Sequence, residues 1–340
     1  MNQDAAIAFD TSRSSSSEAE SVGADSDAAR ASAPAPVVTD YACERRSFQS
    51  KLSLALDALR QDRPHAQQSV RSCLSVLAES LCSLHKRRAR EGAFDARVLA
   101  LIDATRHGAQ DYRTLLNELA THSALESEPI IAFLEQVLAL KQSAANDQAY
   151  LWRDAPAFVA RELFVSTVAV LLRAERWPEL SELLNHRFSH TRPIAATYSA
   201  FDGFHRSLDV FRKRRLKLAR TSVSADLLKA RVERGDVRFD DVIQADFVLH
   251  VHSVFHEDSM QNYWYPRTLC YAEKQLVTGT DLFINMRAGN ANKGLCDVFG
   301  VDDWSAFNAA LGERVCLDSG QNPLNIDYAG LIGANNALFD

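Results

Sequence analysis

HVHSVFHED, His250 to Asp258, is the one place where histidines and acids recur at metal-ligand spacing. If residues 247–256 form a strand, side chains alternate and His250, His252 and His256 share one face. An H-x-H pair on a strand can chelate one divalent ion, and Glu257 or Asp258 can complete the set. If the stretch is a helix, His250 and His252 lie about 200° apart and only His252 and His256 align, at i and i+4. The bland alternative is hydrogen-bonded or exposed histidines at the end of an element. Both backbone readings stay open, because a short β-branched and aromatic run fits either.

A second pairing is Arg60 with His65, in RQDRPH. An arginine and a histidine beside a scissile phosphate suffice for metal-independent RNA cleavage. Helical ribonucleases carry such a pair within a helix, whereas Pro64 puts this one in a turn, so the spacing establishes no family.

The third stretch is Phe204 to Gly235. Phe204, Leu208, Phe211 and Leu218 fall at helical spacings, so one stripe can face a core. Arg212, Lys213, Arg214, Arg215, Lys217 and Arg220 put six cations into nine residues on the other faces. Such a face can track a phosphate backbone by releasing counterions, or it can meet another polyanion or a protein partner. Its bland alternative is a solvated face with internal ion pairs. The run Tyr263, Trp264, Tyr265, Pro266, Arg267 offers aromatic rings beside a guanidinium, as base stacking or peptide docking would use. The favoured reading of the two is a packed anchor of the C-terminal region. No G-x-x-x-x-G-K-S/T, G-x-G-x-x-G or G-x-S-x-G occurs, so phosphate-loop, dinucleotide-fingerprint and nucleophile-elbow chemistry have no support.

These groups need elements to hold them, and the composition says which kind. A chain of 340 residues, 46% hydrophobic and 24% charged, can build a sizeable core. Seven acids against two arginines in residues 1–40 account for nearly all of the net charge of −6. The rest is near neutral, so the basic run is local rather than part of a basic field. The six cysteines include no C-x-x-C, and the expectation is buried thiols in a reducing compartment. MNQDAAIAFD lacks the apolar segment of a secretory leader, and no run of 18 apolar residues is present. A cytoplasmic protein without a membrane span is expected.

Residues 1–38, rich in Ser, Ala, Asp and Glu, bury too little apolar area to offset ordering entropy, which predicts a disordered acidic tail. Helical periodicity then runs through 41–60, 64–91, 94–121 (with Gly108 as its weak point) and a segment opened by Glu128-Pro129. From Pro156 a helix continues through FVARELFVSTVAVLLRAER. Its interior, Leu163 to Leu172, is apolar nearly all round, so it should be the central buried helix. Trp177-Pro178 should end it and begin a short amphipathic partner. Thr221 to Ser224 should break the basic helix and restart it behind a serine cap. Ten of the 13 glycines follow residue 200, and the elements after Gly235 shorten.

The expected fold is mainly α: a multi-helix body at 39–235, a smaller irregular α or α+β region at 236–340 packed on it, and the tail at 1–38. The expected function is a helical interaction or accessory protein without its own catalysis, meeting a protein partner or a nucleic acid through the basic helix, with no cofactor. The competing class is a nuclease or other hydrolase acting on nucleic acid. It would use a divalent metal at His250, His252, His256 and Glu257, or Arg60 with His65 and no metal.

Overall fold

The structure, a computed structural model, describes residues 38–86, 93–122, 126–143, 153–188, 201–204, 209–217, 221–233, 236–257, 263–272, 282–283 and 293–318. The tail expected at 1–38 lies outside them but for its last residue. The chain divides into two units, Met1–Thr39 and Asp40–Asp340; the helical body is the second.

Its centre is α6, Asp154–Arg173, in which every residue from Asp154 to Leu172 is buried. A helix apolar on all sides has no solvent face to offer, so it must be wrapped. The wrapping comes from α3 (Phe94–Ala104), α4 (Arg106–Thr121), α5 (Glu128–Ser143), α7 (Trp177–Asn185) and α10 (Phe239–His256), all packed on α6. By length and composition α6 could cross a membrane, yet here protein covers it completely. Outside this shell, α2 (Ala66–Lys86) packs on α5 and α4. It uses the expected stripe of Val70, Leu74, Leu77, Leu81 and Leu84, all buried. The stripe on α1 (Val38–Arg60) is likewise buried at Phe48, Leu52, Ala55 and Leu59.

Two boundaries differ from the sequence reading, and one open choice is decided. The helix expected at 94–121 is two helices, and the break is at Thr105, not Gly108. The carbonyl of Ile102 explains it. It accepts from Thr105 N (3.1 Å), Thr105 Oγ1 (2.7 Å) and Arg231 Nη1 (2.9 Å), so an arginine far along the chain fixes the turn. The stretch 204–234 is three pieces: a 3-10 turn at Asp202–Phe204, α8 at Asp209–Lys217 and α9 at Val223–Val232. Phe204 and Phe211 are buried as expected but belong to different pieces. The serine restart is present, since Ser222 accepts from Ala225 N at 3.2 Å. Finally, 247–256 belongs to the 18-residue helix α10. The strand reading is therefore wrong. Asp240 and Asp241 open α10, and Val242, Ile243, Phe247, Val248, Val251 and Val254 are buried along it. Tertiary burial has overridden the β-propensity of the run.

Beyond α10 the described residues form a 3-10 turn (Arg267–Tyr271), α11 (Lys293–Phe299) and α12 (Trp304–Asp318), with no strand among them. Aromatic packing joins them to α10. Phe255 stacks on Phe307 at 5.4 Å, and Phe283, Phe299 and Trp304 complete the cluster. Gly294 lets α11 press on α7, because a Cβ there would lie 2.2 Å from Trp177 Cδ1.

Candidate functional site

The basic helix α8 is fastened from its inner side. Val210 and Phe211 are buried, and Phe211 meets Phe158 of α6 edge-on at 6.2 Å. The first turn of a helix has backbone donors with no partner inside it; here Asp154, buried at the start of α6, accepts from Val210 N at 2.7 Å. On the flank, Arg214 pairs with Asp95 of α3 at 2.9 Å, with both side chains about one-third exposed. Arg212 and Arg215 are exposed, and Leu216, next after Arg215 and one turn on from Arg212, is 69% exposed. The side chains of Lys213 and Lys217, and Arg220 as a whole, lie outside the described residues. What α8 presents is therefore an exposed leucine beside two exposed arginines on a fixed helix.

The histidine cluster comes apart because 250–256 is helical. His250 is buried and its Nδ1–H donates to the Trp264 carbonyl at 2.7 Å. Burial pushes its pKa down to about 4, against the pull of that hydrogen bond and of Asp246. His252 instead faces Phe201, with ring centroids 5.6 Å apart, and His256, at 4.2 Å. Burial pushes it down to about 3, and His256 adds to the effect. Glu257 caps the helix end, with its N–H on the Ser253 carbonyl. Among the described residues no three His, Cys, Asp or Glu converge on one point, so the three-histidine site is corrected. Arg60 sits on the last residue of α1, bound to Glu118 at 3.1 Å, and His65 lies in the turn before α2.

The aromatic run is divided too. Trp264 is 1% exposed and packs against Phe164 and Phe201 at 6.0 and 5.8 Å. This makes it the packed anchor favoured for the run and removes Trp264 from the stacking candidates. Tyr263 is half-buried, while Tyr265 stays 46% exposed with the Arg267 guanidinium 5.5 Å from its ring.

Two buried ion networks escaped the sequence reading, and adjacent residues of α6 carry them. Arg161 Nη2 donates to Asp246 Oδ1 at 2.7 Å and to the Tyr265 carbonyl at 2.8 Å. Its guanidinium also covers the Trp264 ring at 4.0 Å. Asp246 further accepts from Trp264 Nε1, Thr268 N and Thr268 Oγ1 at 2.7–2.9 Å. Burial lowers the Arg161 pKa to about 10 even with this carboxylate beside it. Glu162, on the next face, lies between Arg231 Nε at 2.9 Å and Arg113 Nη1 at 3.1 Å. Burial alone would raise its pKa; the two guanidiniums and their hydrogen bonds outweigh burial and hold it below its ordinary value. The available signal was Arg-Glu inside VARELFV. An adjacent charged pair within an apolar helix must be paired, because unpaired buried charge is too costly.

On α10, Asp246, His250 and Ser253 fall at i, i+4 and i+7, one helix face, and all three bind the segment 264–268. Ser253 Oγ accepts from Trp264 N at 2.8 Å and donates to the His250 carbonyl at 2.6 Å. The polar residues of HVHS thus include a clamp for the aromatic run.

No protein-family model matches the chain, and neither a curated protein nor a solved structure shows significant similarity to it.

Proposed function

We propose that this is a cytoplasmic helical interaction protein that docks an acidic segment of a partner protein on α8. The observation that carries the reading is Leu216, 69% exposed beside exposed Arg212, one turn before it, and Arg215 on a helix whose opposite side is locked to α6 and α3. A phosphate backbone has charge for the arginines but no apolar counterpart for the leucine. An acidic segment with one apolar side chain has both. Rigid mounting favours binding, because little side-chain and backbone freedom is then lost on association. The free thiols of Cys73, Cys82, Cys270 and Cys296 fit a reducing compartment.

The test is a photo-crosslinking residue at position 216 in the full chain, in cells. A discrete crosslinked protein is expected, and Arg212→Gln with Arg215→Gln should remove it. If the face binds nucleic acid instead, purified protein will bind RNA or DNA with a steep salt dependence that Leu216→Gln leaves unchanged. That outcome, or no crosslinked protein at all, would overturn the reading.

A further inference from the structure

The outer face of α8 offers a docked segment side chains only. Asp209–Lys217 is one helix, and a helix spends its interior N–H and C=O groups on its own hydrogen bonds. Val210 N, one of the donors left over at its start, donates to Asp154 at 2.7 Å. No strand occurs among the described residues, so they hold no sheet edge for an extended peptide to join. An extended segment laid across Leu216 would bring bare backbone groups against an apolar side chain. Each group that gives up water there without gaining a partner weakens the complex. A helical segment arrives with its backbone already satisfied.

The exposed groups are also spaced for a helix. Arg212 and Leu216 are one turn apart, about 6 Å along the axis, and Arg215 lies three residues from Arg212. Arg214, on the inner flank, is paired with Asp95 of α3 at 2.9 Å, so the outer face draws its charge from Arg212 and Arg215. We propose that the occupant of α8 is an acidic amphipathic helix of a partner protein. It sets an aliphatic side chain against Leu216 and carboxylates, three or four residues away on its own chain, against Arg212 and Arg215. This rests on the docking reading above and names the form of the docked segment. Residues three and four apart on a helix are surface neighbours, so one face presents all of these groups, and its i±4 rows pack against those of α8. The contact spans about two turns of α8, which suits a transient complex rather than a permanent one. An anionic membrane would answer the arginines, but a single leucine gives it little apolar area to hold.

The probe is a synthetic peptide of about 15 residues, long enough to hold a helix. It carries one leucine and two glutamates on one face, alanine elsewhere, and a lactam bridge on the far side that fixes the helix. The control keeps the same contact residues but omits the bridge and replaces two far-side alanines with proline, which breaks the helix. Binding to the full chain is read by fluorescence anisotropy. The locked helix should bind at least about tenfold more tightly than the control, because its ordering cost is already met. Leu216→Gln and Arg212→Gln, both at exposed positions, should each remove most of that binding and leave the circular dichroism unchanged. Equal affinity for the two peptides, lost on the same substitutions, would overturn the helical occupant and leave α8 as a docking face for acidic segments. Binding of neither peptide, or binding that both substitutions leave intact, would overturn the docking reading as well. Attachment of the chain to phosphatidylserine vesicles, abolished by Leu216→Gln, would assign the face to a membrane surface and overturn the inference.

Discussion

Glu162 holds two arginines, and both depend on it. Arg113 and Arg231 are 1% and 3% exposed, and each also donates to a main-chain carbonyl, Arg113 to Arg231 and Arg231 to Ile102. Glu162→Gln removes the charge and keeps the shape, leaving two buried cations facing an amide. Breaking a buried ion network in this way should cost about 3–5 kcal/mol at neutral pH, measured by urea denaturation. A loss under about 1 kcal/mol would mean that the arginines do not rely on this carboxylate. The pH dependence has a fixed sign. The folded pKa of Glu162 lies below its ordinary 4.5, so its contribution is complete above that value. It is lost as pH falls through the folded pKa. The Gln variant should lack that part of the acid loss.

Helix ends show which local signals were present and which were not. Three helices close with the same pair of hydrogen bonds. After α1, Asp62 N and Arg63 N bind the carbonyls of Leu59 and Ala58; after α6, Glu175 N and Arg176 N bind Leu172 and Leu171; after α11, Gly300 N and Val301 N bind Asp297 and Cys296. The first residue of each pair has positive φ: 47° at Asp62, 53° at Glu175 and 69° at Gly300. Only the last is the glycine this geometry favours. Sequence reasoning therefore placed the end of α6 at Trp177-Pro178, although the chain turns at Glu175. Glu175 is exposed, so Glu175→Gly should relieve backbone strain without removing contacts. A stabilisation of about 1 kcal/mol is expected by thermal or urea unfolding. A destabilising effect would show that the left-handed turn is not under strain.

At the scale of the whole molecule, periodicity was enough for the helical class, for the buried stripes of α1 and α2, and for α6 as the central helix. What it missed lies in long-range pairing. Arg161 and Asp246 are 85 residues apart, and Arg231 and Ile102 are 129 apart. No local window contains both ends of such a bond. The HVHS run stayed ambiguous for the same reason: its strand-like composition reflects burial against α6 and the clamp on Trp264, and neither is a local property. The basic run on α8 was visible, but not that Arg214 is paired with Asp95 while Leu216 faces solvent. These long-range bonds also mean that 40–235 should not stand alone. Without α10, one side of α6 is bare and Arg161 loses Asp246. A fragment ending at residue 235 should lack a sharp unfolding transition by calorimetry. A cooperative transition with near-native helix content would show that α10 is an appendage.

The wrapping of α6 also sets a schedule for biosynthesis. The helix leaves the ribosome well before α10, which ends 83 residues after Arg173. At a synthesis rate of roughly 5–20 residues per second, the apolar α6 lacks part of its cover for some seconds on every nascent chain. During that interval it offers the features that hydrophobic-segment receptors and holding chaperones recognise. The fold that seals α6 so completely thus commits each new chain to a period of guarded exposure, and translation stalled near residue 235 would prolong it.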